Sequence, residues 1–361
     1  KYDFKVRFNI IKYKYVKEIH FPVIFLAKKF VLSMIIRIFV AREPAKPLND
    51  AQMCGSFFYR YMAVKITFIK TYSTPQKLVQ LLKTRGMEIT DEEKAQHYLS
   101  HIGYYRLSAY MYSLLSIPKE LHLFKRGVSF GKVMMLYRFD KKLRLLLFNE
   151  IEKIEVAVRC AIVNFGTEMT GNPFWMTEAN NFSNPSKFNR SIRLIEDELN
   201  HTKEDFINHF KETYTNQYPP SWMLTEILPF GVITNIYSNI KNKKIKKRIA
   251  QSFGLQVAPF ESWLTIITVT RNSCCHHVRV WNRVFSIRAT MPIRMLRPWI
   301  TLPTDPLKVY FDMCIIKYFL DIISPNNDML DKMNRLFFTF PEVDIAALGF
   351  PSGWENEPLW Q

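Results

Sequence analysis

Cysteine is sparse in this chain, five in 361 residues, and none stands in a Cys-x-x-Cys pair. That excludes a disulfide framework and a standard zinc ribbon, and it fits a reducing cytosol. Glycine is also sparse, at 11, and there is no internal repeat or low-complexity tract. The most apolar stretch, Phe21 to Val40, is broken by Lys28, Lys29 and Arg37, short of the roughly 20 uninterrupted apolar residues that a membrane-spanning helix needs. Acidic residues are too few to balance the basic ones: 32 Asp and Glu face 50 Lys and Arg, giving a net charge of +18 and a pI near 9.6. An excess of that size exceeds what solubility requires and favours a polyanionic partner, nucleic acid first and an anionic membrane surface second.

What is present is helical periodicity. From Thr74 onward apolar residues recur at threes and fours, predicting an all-α fold. Thr74-Pro75 opens a first helix with Leu78, Leu81 and Leu82 on one face and Gly86 as its stop. Thr90 to Glu93 reads as a capping box for a second helix running toward Ile102, and Tyr104 to Leu115 as an aromatic helix around Arg106. Ser129 begins the longest helix, running to about Asn164, with Met134, Leu136, Leu143, Leu147, Ile151, Ile154 and Val158 as core. Arg138, Asp140, Lys141, Lys142 and Arg144 read as its solvated side, and Arg159 as the ion-pair partner of Glu152 or Glu155. Phe174-Trp175 pins a polar loop to the bundle. Ser186 to Tyr214 reads as an exposed helix or helical pair, Trp222 to Ile240 as core, Pro259 as the start of another helix, and Leu307 to Ile323 as a further one before a patternless tail rich in Pro, Gly and Trp.

The chemistry concentrates in Arg271-Asn272-Ser273-Cys274-Cys275-His276-His277-Val278-Arg279-Val280-Trp281-Asn282-Arg283. An arginine holds phosphate through a planar fork of donors, and histidine titrates close enough to neutrality to move a proton either way. Helix Phe260 to Val269 would present Arg271 and His276 at its C-terminal end, with Asn272 orienting phosphate or imidazole. The bare spacing proves little, since 20 arginines and 8 histidines give roughly one such hit by chance. The bland alternative is that these cations satisfy carbonyls at a helix C-terminus. Zinc on Cys274, Cys275, His276 and His277 is rejected because four contiguous side chains cannot close a tetrahedron.

The whole block resembles the Arg-Asn-x-Cys-x-His-His-x-Arg-x-Trp-Asn-Arg pattern of the Abi-like family of bacterial abortive-infection proteins, the AbiD and AbiF group. Three further passages resemble the same family: His97 to Tyr110, Ile154 to Arg159, and Leu348-Gly349-Phe350-Pro351-Ser352-Gly353-Trp354. The resemblance covers about Thr74 to Trp360. It implies a HEPN-type helical bundle with additional helices, and a metal-independent endoribonuclease acting as a phage-defence or toxin-type effector in the bacterial cytosol. It further implies a homodimer, since such sites meet a second copy of themselves, and restraint by a bound structured non-coding RNA. Arg271, Asn272, His276 and His277 would be catalytic, with His276 preferred over His277, and neither a cofactor nor a metal is expected. The runner-up is a non-catalytic RNA-binding scaffold of the same shape.

RNA-backbone contacts are expected at Lys243, Lys244, Lys246, Lys247 and Arg248, with a solvated face as the alternative for that run, at Arg279 and Arg283, and at Arg106, whose tyrosine-rich surroundings read first as core packing and second as a surface that stacks bases. Residues 1–61 hold 12 Lys and Arg against 4 acidic residues. They read as sequence from upstream of a true start at Met62, with a basic amphipathic helix on a membrane surface as the alternative; residues 62–361 read as the Abi-like unit.

Overall fold

The computed structural model describes residues 67–69 and 71–361. The basic segment 1–61 lies outside them. Tyr72 to Gln361 form one compact unit. It is all-α: twelve helices and several 3₁₀ turns, with only isolated β-bridges among the described residues. The helices are α1 (Pro75–Thr84), α2 (Glu92–Ile102), α3 (Tyr104–Met111), α4 (Phe130–Thr170), α5 (Pro185–His201), α6 (Asp205–Thr213), α7 (Ser221–Ile227), α8 (Phe230–Asn239), α9 (Lys243–Ser252), α10 (Val257–Cys275), α11 (Val309–Ile323) and α12 (Met329–Thr339).

The spine is α4, whose 41 residues span about 60 Å at a rise of 1.5 Å per residue. Ser129 caps it through its side chain, Gly171 ends it in the left-handed conformation, and α3, α7, α9, α10, α11 and α12 pack along it. The sequence reading stopped this helix near Asn164. The pattern weakens there because Gly166 stands where Trp175 crosses. A Cβ at Gly166 would lie 2.3 Å from the Trp175 ring, which is itself fully buried. Gly166→Ala should therefore destabilise the protein: the steric cost of about 1–3 kcal/mol exceeds the gain of about 1 kcal/mol in helix propensity. A thermal midpoint that rises instead would show that Trp175 can move aside.

Helix α11 is apolar almost all round and is buried accordingly. Its Tyr310 meets Phe350 and Trp360, and the Trp360 Nε1 donates to the Tyr310 hydroxyl at 3.1 Å. The tail is thus not patternless: it carries α12 and three 3₁₀ turns, and it buries Leu348, Phe350, Trp354 and Trp360. Its recognisable Leu348 to Trp354 passage is core packing.

Other corrections are local. The cap of α2 is the Asp91 carboxylate, which accepts the Lys94 N–H, one residue beyond the anticipated Thr90. Helix α3 stops at Met111 and passes into a 3₁₀ turn. The polar stretch after Ser186 is a helical pair, α5 and α6, and α10 begins at Val257 and runs on through Cys275, well beyond Val269.

Candidate active site

Asp140 and Arg144 overturn the expectation that they form a solvated face. Both are buried, at 0% and 5% exposure. The Asp140 Oδ2 accepts the Tyr110 hydroxyl at 2.6 Å and the Arg144 guanidinium, while Oδ1 accepts the backbone N–H groups of Val280 (3.1 Å) and Trp281 (2.7 Å). Burial pushes its carboxyl above the ordinary range, with Arg144, Tyr110 and the two N–H groups opposing. Four donors match the acceptor capacity of an ionised carboxylate. One side chain of α4 thereby fastens α3 to the segment that follows the Arg271 motif.

That motif occupies the last turn of α10, with its apolar face formed by Phe260, Trp263, Leu264, Ile267, Thr270 and Cys274 turned inward. The helix closes in a Schellman arrangement: His277 N–H donates to the Cys274 carbonyl at 3.1 Å and Val278 N–H to the Ser273 carbonyl at 2.9 Å. His277 occupies the left-handed position, at φ 57°, where glycine is the usual residue. A side chain there costs roughly 1 kcal/mol, and such local strain clusters at functional sites. Arg106 of α3 donates to the His277 carbonyl at 2.9 Å. Its place is at the motif, as a support for this turn, although the residue remains exposed.

Asn272, His276 and His277 are all exposed, and Asn272 and His276 lie one turn apart on the same side of the helix. Arg271 is half-buried. Its Nε donates to Glu155 at 2.8 Å, one terminal nitrogen lies 3.4 Å from the Asn272 side-chain oxygen, and its guanidinium sits 5.9 Å from the centre of the Phe148 ring. Glu155 is buried on α4 and also pairs with Arg159 at 3.6 Å, as its spacing suggested. Burial pulls the Arg159 guanidinium below its ordinary value, with Glu155 opposing, and Arg159 also donates to the Thr225 and Leu228 carbonyls. Two guanidinium groups share the Glu155 carboxylate, and Glu226 adds a second negative charge near Arg159.

Arg279 and Arg283 are half-buried. Burial lowers the Arg279 pKa, opposed by Asp140. Arg283 donates to the Ser273 hydroxyl at 3.0 Å and lies over Phe285. In the basic run, Lys243, Lys244, Lys247 and Arg248 are exposed on α9, whereas Lys246 turns inward: its amine pairs with Glu261 and donates to the Ser238 carbonyl at 2.9 Å. Burial pushes the Cys274 thiol up to about 12, so it offers no thiolate near neutrality. No group of three or more His, Cys, Asp or Glu among the described residues is placed to hold a metal ion.

Sequence reasoning missed Asp312. It is buried on α11 and accepts the Thr270 hydroxyl at 2.7 Å, directly before Arg271. Burial raises its carboxyl to about 7, with Thr270 and Arg283 opposing. A raised folded pKa means that folding takes up a proton: the stability is fully present below about pH 4 and is lost as pH rises through about 7. Asp312→Asn should flatten that decline in thermal midpoint. An undiminished decline in the variant would assign it to another group.

An all-α unit with a charged helix end that carries Arg, Asn and two His is the class that fold and site define. A profile of the family described as Abi-like protein matches residues 97–282, just over half of the chain. The match takes in Arg106, Glu155, Arg271 and both histidines. The protein belongs to the Abi-like family, and membership points to abortive-infection phage defence. No curated protein and no solved structure matches it. Among the described residues, no helix is long and apolar enough to cross a membrane.

Proposed function

We propose that the chain is a metal-independent endoribonuclease of HEPN type that acts in the bacterial cytosol as an abortive-infection effector. The observation that carries this reading is the cluster of exposed Asn272, His276 and His277 beside half-buried Arg271, braced by Glu155 and Arg106 from distant parts of the chain. One imidazole takes the proton of a ribose 2′-hydroxyl. That oxygen bonds to phosphorus, the bond from phosphorus to the 5′ oxygen breaks, and a second imidazole gives the leaving oxygen its proton. The products are a 2′,3′-cyclic phosphate and a 5′-hydroxyl. Arg271 stabilises the charge that builds on the phosphoryl oxygens. Glu155 on its Nε fixes the plane of the fork, and phosphate takes the terminal nitrogens, displacing the Asn272 side-chain oxygen from one of them.

A two-fold dimer would bring two such helix ends together, so that base and acid come from different copies. A structured non-coding RNA on the basic surface would restrain the enzyme. The test is cleavage of RNA by the purified chain with EDTA present, together with mixing of wild-type and Arg271→Ala chains. Undiminished cleavage in EDTA, and mixed dimers of reduced activity, are expected. A strict need for divalent metal, or full activity from a monomer, would overturn the mechanism or the dimer in turn. Tight RNA binding without cleavage under any condition would leave the scaffold reading in its place.

A further inference from the structure

Residues 276–308 carry no helix, yet they do not wander. The Thr290 N–H donates to the Ser262 hydroxyl at 2.8 Å, the Trp263 Nε1 donates to the Thr290 carbonyl at 3.1 Å, and Trp299 stacks on Trp263 at 5.1 Å. The segment therefore runs back along α10, from the Arg271 end toward its start. It bears Arg279, Arg283, Arg288, Arg294, Arg297 and Lys308 against the single acid Asp305. Long ordered segments without secondary structure are uncommon, and many are functional.

At the far end of this strap is a cavity of about 730 Å³, within the ~300–1,000 Å³ range of small-ligand sites. Leu255, Val257 and Leu296 give it apolar walls, and Lys243, Lys247 and Arg294 set three exposed cations around it. Lys246 contributes only its stem, because its amine is paired with Glu261. The start of α10 lines it through Gln256 and Val257 with no side chain capping the helix, which puts the positive end of the helix beside the cavity. An apolar interior under a cationic rim fits a flat, weakly polar ring carrying phosphate. It does not fit a bare anion, which would leave the walls unused, or a neutral apolar ligand, which would leave the charges unused.

We propose that this cavity binds a nucleoside phosphate, with the base against Leu255, Val257 and Leu296 and the phosphate at Lys243, Lys247 and Arg294. The proposal deepens the ribonuclease reading and rests on it. Val257 and Arg271 are about 20 Å apart along the helix, so an RNA nucleotide held here lies several positions from the phosphate at Arg271, along the basic strap. The same chemistry also admits a free nucleotide as a ligand that reports on the cell.

The test is binding to the full chain, measured by calorimetry with AMP, GMP, CMP, UMP and inorganic phosphate. It continues with 2′-O-methyl oligonucleotides, which lack the attacking hydroxyl, made abasic at one position at a time. At least one mononucleotide should bind about tenfold or more tightly than phosphate. Lys243→Glu with Lys247→Glu, and separately Leu296→Ser, should abolish that preference without altering circular dichroism, since all three residues are exposed. One sensitive abasic position, lost in Leu296→Ser, would identify an RNA nucleotide as the occupant. Mononucleotide binding with a flat abasic scan would identify a free nucleotide. No preference over phosphate together with a flat scan, or binding indifferent to both variants, overturns the proposal. None of these readouts depends on cleavage, so a chain that binds in this way without cutting sinks the nuclease reading and leaves the pocket standing.

Discussion

His276→Ala is expected to lower RNA cleavage by roughly 10²- to 10⁴-fold, the ordinary contribution of a positioned proton-transfer group, and to leave the thermal midpoint where it was. The reason for the separation is structural. The bond that His276 makes in the fold runs from its backbone N–H to the Asn272 carbonyl at 2.9 Å, and truncating an exposed side chain leaves it in place. Exposed substitutions of this kind stay within about ±0.5 kcal/mol. Arg271→Ala should match it in cleavage, and Arg271→Lys should rescue little, because an ammonium cannot replace a fork whose Nε is already engaged by Glu155. Steady-state cleavage of a defined RNA and host toxicity are the two measurements. Wild-type rates in both the His276 and Arg271 variants would remove the site from consideration.

The second large effect is on stability. Asp140→Ala should cost about 3–5 kcal/mol, the range for breaking a buried ion pair by removing one partner. Arg144 would be left uncompensated at 5% exposure, and the Tyr110 hydroxyl and the Val280 and Trp281 N–H groups would each lose their acceptor. Urea unfolding measures it. Replacing both partners together, Asp140→Leu with Arg144→Met, should recover part of the loss, because no charge is then stranded. Cleavage by Asp140→Ala should also fall at temperatures where the chain is still folded, since the backbone directly after the motif loses its anchor. A loss under about 1 kcal/mol would mean that the network is not what holds the segment.

The Arg271 motif was legible because its residue types are tied to the chemistry of phosphate and proton transfer, and its neighbours follow a pattern that other chains share. What supports it was only half legible. Arg106 and Tyr110 stood out as an aromatic passage read chiefly as packing or base stacking. In the structure one donates to the His277 carbonyl and the other to Asp140. Asp140 and Arg144, four residues apart, look like any solvated pair on a helix. Nothing local distinguishes the buried version, because its partners come from residues 110, 280 and 281. Asp312 was invisible for the same reason: a lone carboxylate in an apolar helix gives no sign of the threonine that will meet it from α10.

The sequence by itself determined the helical class, the long α4, the grouping of Arg271, Asn272, His276 and His277 at one helix end, and the excess of positive charge. All of these depend on the 3.6-residue period or on composition, which neighbours along the chain already carry. The tertiary structure alone decided which charges are free and which are committed. It turned Lys246 inward to Glu261, placed Glu155 between Arg159 and Arg271, and led the basic segment after His277 back along α10 to a cavity. The state of a charged side chain is set by burial and by partners that lie tens to hundreds of residues away, and local pattern carries no record of either.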